Sequence, residues 1–177
     1  MAFVAGQAKP FGLRDVKVTS IAASPVQADL DSSQLLTFNP KLTSGELMGD
    51  DAIKSVVAFI IGGEWKLEAG GLPLNALAII TGQAVTTAGT TPNQTVTWTL
   101  SAGDRMPYFR VYGKSISEDD DDVHVKLYKC KCTSLEGEQK GEEFVVTKCE
   151  GIAIDDGTNG IMDIVHNETA ADLPGAS

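Results

Sequence analysis

From Ile53 to Ala69 the chain reads as one long strand, and over Val56 to Ile61 it is apolar in both registers. Val57, Phe59 and Ile61 share one parity, and Val56, Ala58 and Ile60 share the other. Successive side chains of a strand point to opposite faces, so this segment presents apolar groups on both. A strand of that kind is expected to be buried on both sides, in a core or in an assembly. The apolar stretch from Ser55 to Gly63 ends at Gly62-Gly63. That is strand-sized and far short of the ~20 residues a membrane helix requires, so no membrane span is expected.

The flanking sequence supplies more strands. Asp15 to Ala22 alternates, with Val16, Val18 and Ile21 apolar and Lys17 and Thr19 polar, and reads as a first strand. Ser24 to Ser33 reads as a loop, and Leu35 to Phe38 as a short strand stopped by Asn39-Pro40. Lys41 to Asp51 holds Ser44, Gly45, Gly49 and Asp50-Asp51, the composition of a long exposed loop. Leu74 to Thr81 is predicted as a short helix, with Pro73 at its first turn and Gly82 just past its end. Gln83 to Asn93 reads as a loop. Further strands are expected over Gln94 to Leu100, Pro107 to Gly113, Val123 to Thr133, Glu143 to Ile154 and Ile161 to Val165. A turn falls at Ser115 to Asp122 and a polar loop at Leu135 to Gly141. Met1 to Gly12 reads as an extended arm, and residues 167–177 as a flexible tail. With 177 residues the whole is expected to be one domain, mainly β, a sandwich or barrel with one flanking helix.

The formal net charge of -10 sets the chain against gripping nucleic acid, because DNA binders neutralise phosphates with Lys and Arg. An acidic wall would instead let DNA slide past. Met1 to Gly12 lacks the basic start and apolar centre of a signal peptide, so folding in a cytoplasm is expected. The three cysteines, Cys130, Cys132 and Cys149, are too few and odd in number for a disulfide framework. Cys149 is expected across from Cys130 or Cys132. A zinc site would need more and better-spaced ligands, so core or interface thiols are the simpler reading.

The acidic run Glu118-Asp119-Asp120-Asp121-Asp122 lacks the spaced ligands and glycine of a calcium loop. It reads as a solvated turn, or as an acidic surface inside an assembly. His124 and His166 sit in no nucleophile or metal motif, and no phosphate loop is present. No catalytic, cofactor or metal residue is therefore predicted. Trp65, Trp98, Tyr108, Phe109 and Tyr112 could form a sugar-stacking surface, but at strand spacing they read first as core or interface.

The stretch Ser44-Gly45-Glu46-Leu47-Met48-Gly49-Asp50-Asp51 resembles the loop that precedes a long core strand in the major tail tube proteins of tailed bacteriophages. The strand Val56 to Ala69, the pair Gly70-Gly71 and the helix ending Thr81-Gly82 follow in the order seen there. Pro107-Tyr108-Phe109 and Asp122-Val123-His124-Val125 then open later strands. The resemblance runs from about Leu35 to Asn167. It implies a β-sandwich or barrel tail-tube fold, shared with type VI secretion tubes, with a short flanking helix and extended terminal arms. It implies a structural virion protein, not an enzyme, whose hexameric rings stack into a hollow, non-contractile tail. Implied partners are other copies of the chain, the tape measure, the tail terminator and the baseplate or distal tail proteins, with DNA passing through the lumen without specific binding. Implied locations are the virion tail and, during assembly, the host cytoplasm. On this reading Ser44 to Asp51 contacts a neighbouring subunit. A decoration or terminator protein and a carbohydrate-binding module are the alternatives.

Overall fold

The computed structural model describes residues 6–71, 73–117 and 121–175. The chain is mainly β, antiparallel throughout, with one short helix. The strands are β1 (Pro10–Ser20), β2 (Gln27–Asp29), β3 (Ser33–Gly49), β4 (Ala52–Gly70), β5 (Val85–Ala88), β6 (Thr95–Trp98), β7 (Phe109–Ser117), β8 (Asp122–Glu138), β9 (Val146–Ala153) and β10 (Met162–Asn167). Helix α1 is Leu74–Thr81, between β4 and β5. The main sheet runs β2-β1-β7-β8-β9-β4-β3, with β10 paired to the first part of β8, and β5-β6 form a separate hairpin.

The core follows from the alternation. On β4, Trp65, Leu67 and Ala69 point inward, and on β1 Val16 and Val18 do the same. Phe109, Val111, Leu127, Cys130, Cys132, Cys149 and Ala153 complete it from β7, β8 and β9. The rings of Trp65 and Phe109 meet edge to face with centroids 5.5 Å apart. Each large side chain buried this way contributes about 1.5–3 kcal/mol. A Cβ on Gly113 of β7 would sit 2.4 Å from Leu36 of β3, so the sheet curls until these strands face each other. Helix α1 adds Ala76, Ile79 and Ile80 to the same core. Its predicted bounds are those observed, and Gly82 ends it in the left-handed conformation, φ 76°.

Two bulges in β8 shift its parity. Phe109 pairs with Cys130 but Val111 with Leu127, so β8 carries one extra residue there. Leu127 and Cys130 therefore both face inward, while Tyr128 is half-buried and donates to Asp163. Strict alternation alone would put Tyr128 on the same face as Cys130.

Several expectations are corrected. Pro40 does not stop β3, which runs on to Gly49. β3 lies at the end of the sheet order, where a missing N–H costs no ladder bond on its open side. The segment Lys41 to Asp51 is thus strand plus turn rather than loop. The segments read as loops at Ser24 to Ser33 and Gln83 to Asn93 hold β2 and β5. Pro10 to Gly12, assigned to an arm, belong to β1. The C-terminal segment as far as Gly175 is tied down: Leu173 is buried, and Gln27 donates to the carbonyl of Pro174 at 2.8 Å.

Candidate assembly surface

β3 and β4 pair along almost their whole length, from Ser33 with Ala69 to Gly49 with Ala52. β4 pairs with β9 only from Gly70 back to Gly63. Beyond Gly63 the two strands leave the sheet as a two-stranded ribbon whose outer edges carry no further pairing among the described residues. At about 3.3 Å per residue, Ala52 to Gly62 projects roughly 30 Å.

The exit point is set by local sequence. A Cβ on Gly63 would fall 2.1 Å from the Phe38 ring, so only glycine lets Phe38 close the base of the ribbon. One step further, Lys41 pairs with Gly62 and Leu42 with Ile60, leaving Ile61 as a bulge. Bulges bend and twist a strand, which suits a hairpin departing from its sheet. The tip is a two-residue turn at Asp50-Asp51 with φ of 49° and 60°. Positive φ at both central residues is the geometry that matches strand twist in tight hairpins, and Asp tolerates it better than most residues.

Directly paired residues share a face. Leu42 with Ile60, and Glu46 with Val56, define one side of the ribbon. Thr43 with Phe59, Gly45 with Val57, and Leu47 with Ser55 define the other. Both sides are apolar and both are open to solvent: Leu47 and Phe59 are each 63% exposed, and Ile60 is 61% exposed. Half of the large apolar side chains exposed among the described residues lie between Leu42 and Ile61. The two-faced part of β4, Val56 to Ile61, is therefore not buried within its own chain. A two-stranded hairpin is marginal alone in water, and an apolar patch of this kind marks an interaction site. The predicted interface residues Ser44, Gly45, Glu46, Leu47, Met48, Gly49, Asp50 and Asp51 form one strand of the ribbon and its turn. For their apolar partners on β4 the two-sided pattern called for cover in a core or in an assembly, and their own chain does not supply it.

The acidic run divides. Glu118, Asp119 and Asp120 lie outside the described residues. Asp121 and Asp122 are buried, so for these two the expectation of an acidic surface is corrected. Asp122, with no exposed surface, is 3.2 Å from both Lys114 Nζ and His124 Nε2. It also accepts hydrogen bonds from Asn167 Nδ2 at 2.6 Å and from the Ala171 N–H at 2.7 Å. Burial pushes its carboxyl up, but these donors and the neighbouring cations outweigh burial and hold it below the usual carboxylate range. Asp121 pairs with His166 and is likewise held low, by hydrogen bonds from Ser117 and His166. Both histidines of the chain thus serve a buried clamp joining β7, β8, β10 and the C-terminal segment.

Trp65, Phe109 and Tyr112 are inside the fold and cannot stack on a sugar. Trp98 is half-buried and donates to Thr81 Oγ1 at 3.2 Å. Tyr108 is partly exposed beneath Lys129 and Lys131. A groove of about 730 Å³ runs between β1, β2, α1 and β5. Two of its polar side chains are engaged structurally: Gln27 donates to Thr19 Oγ1 and Asp29 pairs with Lys17. Cys130, Cys132 and Cys149 are buried free thiols, and no cluster of three metal-ligating side chains occurs among the described residues. No helix described is long and apolar enough to cross a membrane. No protein-family model and no curated protein sequence matches the chain.

Proposed function

We propose that the chain is a self-assembling structural subunit of the tail-tube kind, whose rings stack into a hollow tube that conducts DNA. One observation carries this reading: a ribbon of roughly 30 Å, apolar on both faces and open at both edges, built from β3 and β4. A single small partner would cover one face. A ring of identical copies covers two, because every copy both gives and receives the same element. Such head-to-tail contacts close into rings when the rotation permits. Open strand edges favour the same outcome, since pairing with a neighbour removes an aggregation hazard. The net charge of -10 suits a channel through which DNA moves without sticking.

Negative-stain electron microscopy of the purified chain, with its mass from light scattering, tests the proposal. Stacked rings or hollow tubes support it. Small closed oligomers that never stack point instead to a decoration or terminator protein. A monomer that persists at high concentration counts against self-assembly altogether. The carbohydrate-binding alternative is weakened because most of the aromatic side chains it would use are buried.

A further inference from the structure

We infer that Cys132 and Cys149 are a disulfide-forming pair, which hydrogen peroxide converts to a bridge between β8 and β9 while Cys130 stays reduced. The two sulfurs lie 2.8 Å apart, on neighbouring strands, with Cys149 donating to Cys132. Neither residue faces the other in simple register: Cys132 pairs with Gly151, and Cys149 with Leu135. The second bulge of β8 brings them together. Gly151 and Glu150 are adjacent on β9, whereas their partners Cys132 and Ser134 are two apart on β8, so Thr133 is the extra residue. Both thiols point into the core, 4% and 2% exposed. Peroxide, small and uncharged, suits that confinement better than a bulky disulfide reagent.

The roles of the two thiols differ. The hydrogen bond from Cys149 favours the ionised form of Cys132 and holds its thiol below the usual range. The same contact, together with burial, pushes the Cys149 thiol up. Burial alone pushes Cys130 up, which keeps it a poor nucleophile. Cys132 as thiolate attacks one peroxide oxygen, the O–O bond breaks, and sulfenic acid and hydroxide form. Hydroxide takes the proton that Cys132 released and leaves as water. The Cys149 sulfur then attacks the Cys132 sulfur, the S–O bond breaks, and the Cys149 proton departs with the hydroxyl as a second water. Two thiols are oxidised by two electrons and one peroxide is reduced to two waters.

The sequence makes the test unambiguous, because trypsin separates the three cysteines. Cleavage after Lys129, Lys131, Lys140 and Lys148 places Cys130, Cys132 and Cys149 on different peptides. The folded full chain is treated with dilute hydrogen peroxide, quenched, denatured and alkylated, and its intact mass and peptides are read. The expected product has lost two hydrogens, takes one alkyl group, and yields peptide Cys132–Lys140 joined to the peptide that begins at Cys149. Its melting temperature rises by about 5 °C and returns on reduction, because the cross-link restricts the unfolded chain. Cys130→Ser retains the bridge, and Cys132→Ser loses it. Three alkylated cysteines after peroxide, a sulfinic acid at Cys132 without a bridge, a bridge through Cys130, or one between two copies would each overturn the inference.

Discussion

Asp122 shows how a single side chain can belong to the fold where its neighbours in sequence suggest a surface. It is fully buried, yet it meets Lys114, His124, Asn167 and the Ala171 N–H. Removing the carboxylate would leave Lys114, itself largely buried, without its counter-charge. Asp122→Ala is therefore expected to cost about 3 kcal/mol, read as a lower urea midpoint. Because its folded pKa lies below the unfolded value, the stabilisation is complete above the ordinary carboxylate range. It is lost as pH falls through the folded value. Urea midpoints should hold steady from pH 7 to about 5 and fall below about pH 4, and Asp122→Asn should flatten that fall. A midpoint that rises on acidification would contradict the clamp. Gly151 is a second residue whose role depends on its surroundings. A Cβ there would come 1.9 Å from the Lys131 carbonyl oxygen, which is backbone and cannot swing aside. Gly151→Ala should lower the melting temperature by on the order of 10 °C, whereas Gly137→Ala, with open space around it, should leave it nearly unchanged.

Among the elements, the β3–β4 hairpin differs most from its sequence-based reading. The strand half at Ile53 to Ala69 and helix α1 were legible, because two-sided apolarity and a Pro73–Gly82 frame are local signals. The Lys41 to Gly49 half was not, because Ser, Gly and Pro are turn formers by composition, and only pairing with Ala52 to Gly62 keeps them extended. The C-terminal segment was misread for a similar reason. Its residues are small and polar, and its order comes from distant partners: Gln27, Lys114 and Asp122. The hairpin tip offers a direct test. Asp50→Asn with Asp51→Gly supplies the pair favoured at two positive φ values and should stabilise the ribbon by about 0.5–1 kcal/mol. Amide hydrogen exchange from Leu42 to Ile60 should slow roughly threefold in the double variant. Unchanged or faster exchange there would argue against the two-residue turn.

At the scale of the whole molecule, one body with a buried core carries an arm that its own chain leaves uncovered. Phe59→Lys tests what the arm is for. Phe59 lies on the exposed ribbon, so the change should move stability by no more than about 0.5 kcal/mol. Polymer yield at a fixed concentration, followed by light scattering, should nevertheless fall at least about tenfold, because a buried charge at a subunit contact costs more than that factor requires. Normal assembly by this variant would remove the ribbon from the interface. By itself the sequence determined that the chain is mainly β, that it has one short helix at Leu74–Thr81, and that one long strand has two apolar faces. Those properties follow from periodicity and from Pro and Gly positions, which act over a few residues. Only the tertiary structure decided that Asp121 and Asp122 face inward, that the second bulge of β8 lets Cys132 meet Cys149, and that the two-faced part of β4, Val56 to Ile61, stands outside the core. Burial, register and charge pairing are contacts between residues far apart in the chain, and no local pattern of side chains encodes which partner will be there.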